Sequence, residues 1–146
     1  MKKGFSLITA IIFMVLVATI GALALSFSTF SVKQTRDLYL REQAELLLQS
    51  GTEFALLAIS GHEINATNGC LNYINTSYPE TTPPLFDINI SINYIGNGLP
   101  TSNCNILDNN LSTSDSNIPV IIDTIVQDHD ISAEPIRLHR RTIQKP

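Results

Sequence analysis

No ionisable side chain occurs from residue 4 to residue 32, and Phe5, Leu7, Ile8, Ile11, Phe13, Leu16, Ile20 and Leu25 belong to an almost continuous apolar run there. A helix of about 20 such residues crosses a bilayer, so the run predicts a membrane span over residues 5–32. Past it the pattern becomes one-sided. Asp37, Arg41, Glu45, Gln49 and Glu53 recur every fourth residue, and Leu40, Ala44, Leu47, Leu48, Gly51, Phe54, Ala55 and Ala58 fall opposite them. That 3.6-residue period predicts an amphipathic helix over residues 33–60 with one face on a core. Gly61 suits its end. At 1.5 Å per residue, a helix over residues 5–60 would be roughly 84 Å long, far more than a bilayer, so the second half must lie outside.

From residue 61 to residue 146 the period shortens to two. Phe86, Ile88, Ile90, Ile92 and Tyr94 alternate with Asp87, Asn89, Ser91 and Asn93, which predicts a strand with one buried face. Gly96-Asn97-Gly98 reads as a turn. Residues 120–126 predict a mostly buried strand, and residues 136–143 a third with Arg137, His139 and Arg141 on one face. The apolar strand face needs a cover, and the only long apolar stripe available is that of the helix. The expected fold is therefore α+β, a long N-terminal helix packed on a small antiparallel sheet. Residues 100–117, dense in Asn, Ser, Thr and Asp, predict a long loop, either a binding surface or disordered.

Composition adds contrast between the two pieces. Only 15% of the 146 residues are charged, against roughly 25% in ordinary soluble domains. Between Arg41 and Arg137 there is no Lys or Arg, while the acidic residues concentrate there, which argues against nucleic acid as a partner. Arg137, Arg140, Arg141 and Lys145 then reverse the sign, and pairing with the acidic body is their expected use. Asp128-His129-Asp130 reads as surface rather than as a metal site. No G-x-S-x-G, H-E-x-x-H or phosphate-loop motif is present, so no enzyme activity is expected. Lys2 and Lys3 precede the apolar run, and Lys33, Arg36 and Arg41 follow it mixed with Asp37, Glu42 and Glu45. Orientation by charge is weak, with the N-terminus inside favoured.

Three fates of such an N-terminus differ in outcome. Ala22-Leu23-Ala24 offers an A-x-A site for a cleaved secretory signal, although the apolar run exceeds the 7 to 15 residues usual there. An uncleaved anchor also fits the span. The third fate rests on the start itself: Lys2-Lys3-Gly4-Phe5-Ser6-Leu7-Ile8, a short basic leader ending in glycine before a Phe that opens a long apolar helix, resembles a prepilin leader. The family is that of type IV pilins and type II secretion pseudopilins, and the resemblance covers roughly the first 30 residues. It implies cleavage after Gly4 by a prepilin peptidase, making residues 1–4 a leader, and N-methylation of Phe5. It also implies residence in a bacterial inner membrane with the N-terminus cytoplasmic and the head periplasmic. The partners implied are other pilin or pseudopilin subunits, an inner-membrane assembly platform, the lipid bilayer and a secreted substrate.

One position departs from the family. Members usually carry glutamate at the fifth mature residue, and here that residue is Thr9. A carboxylate in hydrocarbon costs about 2.5–3.5 kcal/mol on insertion scales and is tolerated when it meets a neighbouring subunit's terminal amine; Thr9 cannot form that pair. The resemblance then implies a minor, tip-like member that initiates or caps a filament. A single-pass anchored periplasmic binding or sensing module is the alternative.

In an exported chain an isolated cysteine pair is usually bonded, so a Cys70–Cys104 disulfide is expected. No cofactor is expected. Some pseudopilins bind calcium, and Asp108, Asn109, Asn110, Ser112, Ser114, Asp115 and Asn117 are oxygen donors in one loop. The EF-hand template fails, because Thr113 and Pro119 stand where it needs glycine and glutamate. A solvated polar loop is the preferred expectation.

Overall fold

The computed structural model describes residues 3–65, 67–100, 103–111, 118–129, 131, 132 and 134–146, with side chains from Leu7 onward. Helix α1 spans Lys3–Gly61 and ends on the glycine that the sequence suggests. Five strands follow: β1 (Tyr73–Tyr78), β2 (Phe86–Ile95), β3 (Ile106–Asp108), β4 (Val120–Asp128) and β5 (Arg137–Gln144). The chain divides into two units between Tyr39 and Leu40.

In the first unit, every large apolar side chain from Leu7 to Val32 is 51–75% exposed. α1 is the helix long and apolar enough to cross a membrane. Its hydroxyls bond inward along the helix: Thr19 Oγ1 donates to Leu16 O (2.8 Å), Thr29 Oγ1 to Ser26 O (2.9 Å) and Thr35 Oγ1 to Ser31 O (2.9 Å). Such back-bonding satisfies these three donors within the helix itself.

The second unit is a sheet of order β1-β2-β4-β5 with one helix face laid on it, all four strands antiparallel. β3 adds a short parallel pairing to the end of β2, Tyr94 against Ile106, with an irregularity before Ile95 and Asp108. Alternation decides the faces. Phe86, Ile88, Ile90, Ile92 and Tyr94 of β2 and Val120, Ile122, Thr124 and Val126 of β4 are buried, together with Leu40, Ala44, Leu48, Ala55 and Ile59 of α1. Gly51 allows the close approach: a Cβ there would meet Thr124 Cγ2 at 3.3 Å and Ile88 Cγ2 at 3.4 Å. Beside it Thr52 Oγ1 and Thr124 Oγ1 lie 3.2 Å apart, joining helix to sheet through a buried hydrogen bond.

Two expectations require correction. Phe54 is 53% exposed rather than part of the core; one helical residue step turns about 100°, which carries it off the line through Leu48 and Ala55. Thr52 and Ile59 occupy the core instead. The segment 100–117 is not loop throughout, because β3 lies within it; of the rest, 101, 102 and 112–117 lie outside the described residues.

Candidate functional site

Chemistry-bearing residues gather in the second unit at the disulfide, on the outer sheet face and in the β4–β5 connection. Cys70 and Cys104 are bonded, with Cα atoms 4.9 Å apart across a separation of 34 residues. The segments they join are held by asparagines. Asn72 Oδ1 accepts the Asn105 N–H (2.8 Å), Asn72 Nδ2 donates to Asn103 O (3.1 Å), and the Cys70 N–H donates to the same carbonyl (3.2 Å). Gly69 takes φ +68°, and a Cβ on it would meet Asn103 Cβ at 2.6 Å, so glycine is required by both conformation and space. The Tyr94 hydroxyl donates to Leu71 O at 2.8 Å. Burial pushes this phenol up to about 12, with the bond to Leu71 opposing.

On the outer face Asp123 of β4 sits opposite Arg141 of β5 and diagonal to His139. Asp123 Oδ1 accepts from Arg141 Nε at 2.7 Å and lies 2.9 Å from His139 Nε2, and its side chain is only 9% exposed. The Arg141 hydrogen bond is the main reason the carboxyl lies below its ordinary range; burial opposes the shift and His139 assists it. Arg141 is the expected pairing of the basic tail with the acidic body. Arg137 and Arg140 make no ion pair among the described residues.

Asp128, also buried, organises the turn into β5. Its Oδ1 accepts the Ile136 N–H (2.9 Å), and its Oδ2 accepts the Ser132 N–H (3.3 Å) and hydroxyl (2.5 Å). Burial is the largest influence and raises this carboxyl, but the bonds from Ser132, Ile136 and Ile131 together outweigh it and hold it below the usual range. His129 Nδ1 lies 3.4 Å from Asp87 Oδ2. Asp130 lies outside the described residues.

The candidate calcium donors are placed only in part. Ser112, Ser114, Asp115 and Asn117 lie outside the described residues. Asp108 Oδ1 accepts the Asn110 N–H (2.9 Å), and Asn109 clamps Leu99, accepting its N–H (2.9 Å) and donating to its carbonyl (3.3 Å). These oxygens are thereby used to shape backbone. Among the described residues no group of three or more His, Cys, Asp or Glu is placed to hold a metal ion.

In the first unit, Gly4, Phe5 and Thr9 all fall within α1, and Thr9 is exposed on it. Sequence reasoning did not assemble the Asp123, His139 and Arg141 cluster. The signal was an acid inside the apolar run of residues 120–126 and two basic side chains spaced two apart on a strand. No protein-family model matches the chain, and neither a curated protein nor a solved structure matches it.

Proposed function

We propose that the protein is a minor pilin or pseudopilin, a structural subunit that is stored in the inner membrane through α1 and initiates or caps a type IV pilus-like or type II secretion filament. The observation that carries this is the start Lys2-Lys3-Gly4-Phe5 set directly before the apolar run. Three features support it: a helix apolar enough to cross a membrane, the 40–61 part of the same helix packed on a small sheet, and a head tied by a disulfide. In this proposal a prepilin peptidase cuts after Gly4 on the cytoplasmic side, Phe5 is methylated, and Thr9 removes the intersubunit pair that a repeating subunit needs. The head then acts by contact in the periplasm or at the filament tip, and not by catalysis.

Intact mass of the protein from native membranes, with and without reductant, tests the proposal. Loss of Met1 through Gly4 with one added methyl is the expected result. A full-length mass would leave the anchored binding or sensing module, and loss through Ala24 an exported head. Introducing Thr9→Glu should raise the number of copies per filament; unchanged incorporation would sink the tip assignment.

A further inference from the structure

The sheet order leaves β5 at an edge. Its outward groups can be assigned, because the Asp128 N–H donates to Ile136 O at 3.0 Å, making that antiparallel pair a hydrogen-bonded one. Bonded pairs alternate along the ladder. Leu138, Arg140, Thr142 and Gln144 therefore face β4, and Arg137, His139, Arg141 and Ile143 turn their N–H and C=O groups toward the open edge. The pairing with β4 runs from Arg137 to Gln144 without a bulge. Four donors and four acceptors thus stand in regular array, with no backbone partner among the described residues.

The flank of this edge is built as well. A cavity of about 360 Å³ lies between α1 and β5, lined by Glu42, Glu45, Leu46, Leu48, His139 and Arg140. Leu46 and Leu48 give it apolar wall, while Glu42 and Glu45 make it unsuitable for a carboxylate. The other side of the edge is basic: Arg137 and Arg141 project on the outer face, where Arg141 pairs with Asp123 and Arg137 makes no ion pair among the described residues. Ile143 is 70% exposed on that same face.

We propose that β5 is a docking edge for an extended peptide segment of a partner protein, added as a further antiparallel strand between β5 and the side of α1. The period of two fixes the partner's chemistry. Side chains opposite Arg137 and Arg141 are carboxylates, and the intervening ones, which turn toward the Leu46 and Leu48 side, are small and apolar. A second copy of β5 is a poor occupant, since it would set arginines against arginines. The same arginines guard the empty edge against indiscriminate pairing. This inference is independent of the leader: an uncut anchored protein would present the same edge.

The test uses the full chain in detergent micelles and a synthetic peptide of alternating Glu and Val, as long as β5. Binding should slow amide exchange at Arg137, His139, Arg141 and Ile143 and leave Leu138 and Arg140, already bonded to β4, unchanged. The Lys and Val counterpart should bind about tenfold more weakly, or worse. Arg137→Glu, which leaves the Arg141–Asp123 pair in place, should shrink that preference. Ile143→Pro removes an outward donor without touching the β4 ladder and should weaken binding. No change in exchange at millimolar peptide would overturn the proposal, as would equal binding by a peptide N-methylated at its Glu amides, the ones that face β5 in this pairing. Slow exchange at the four amides that appears with protein concentration alone would assign the edge to a second copy instead. A full-length intact mass, by contrast, would end the pilin proposal and leave these outcomes standing.

Discussion

Two stretches of α1 share a conformation and differ in everything that stabilises it. From Leu7 to Val32 the large apolar side chains are all exposed on every side of the helix, which suits a solvent as apolar as they are. From Leu40 to Ile59 the buried positions form one stripe, Leu40, Ala44, Leu48, Thr52, Ala55 and Ile59, and the exposed remainder mixes polar side chains with Leu46, Phe54 and Leu57. The first stretch is long and apolar enough to cross a membrane, and the second is held by the sheet. A substitution should therefore be felt in the folding of the head only where the helix touches β2 and β4.

The largest effect should come from emptying the head core. Phe86 is fully buried at the start of β2, and Phe86→Ala should cost about 3–5 kcal/mol. Leu16→Ala, an equally apolar deletion in the first unit, should leave the thermal midpoint of the head unchanged, as read by near-ultraviolet circular dichroism in micelles. Equal losses would mean that the two units do not fold separately. Of similar size is the disulfide: closing 34 residues is worth about 4 kcal/mol on the chain-entropy model, so Cys70→Ser with Cys104→Ser should lower the same midpoint steeply.

Two glycines of α1, one in each unit, sharpen the contrast. Around Gly21 nothing beyond the adjoining helix backbone lies within 4 Å of where a Cβ would be, whereas at Gly51 the sheet is already in contact. Gly51→Leu should destabilise the head by about 1–3 kcal/mol through overpacking, and Gly21→Leu should not move it. The neighbouring hydroxyl pair gives a finer test. Thr52→Val leaves Thr124 Oγ1 without its helix partner and should cost about 1 kcal/mol, with Thr124→Val in the same chain recovering part of it in a double-mutant cycle.

Much of this was legible in the sequence, and what was not has local causes. β2 declared itself because five apolar residues alternate with polar ones without interruption, and the uncharged run of residues 5–32 marked the span. β1 was missed: Tyr73-Ile74-Asn75-Thr76-Ser77-Tyr78 sits at an edge with only Ile74 and Ser77 half-buried, so it shows neither a regular alternation nor hydrophobic contrast. β3 is three residues long and exists through its pairing with β2, which no local pattern reports. Thr52 was hidden by its hydroxyl, since a polar side chain in the centre of a helix face is expected outside. The cysteine pair was legible from context, while the Asp123 cluster depended on a strand register that only the assembled sheet supplies.

The smallest expected effect concerns that cluster and sets the acid limit of the head. Asp123 and Asp128 both lie below the ordinary carboxylate range when folded, so the folded state binds fewer protons than the unfolded chain. Their contribution is fully present above the unfolded value of about 3.9 and is lost as pH falls through the depressed folded values. Head stability should therefore be flat from pH 7 down to about pH 5 with respect to these groups and fall at lower pH. Asp123→Asn should lower the midpoint at pH 7, where Arg141 and His139 lose their shared acceptor, and should flatten the acid limb. Leu16→Asn in the first unit should leave that limb as it was. If Asp123→Asn left both the midpoint and the acid limb unchanged, the pairing across β4 and β5 would be a surface contact without influence on folding, and the basic edge would be held in place by its backbone ladder alone.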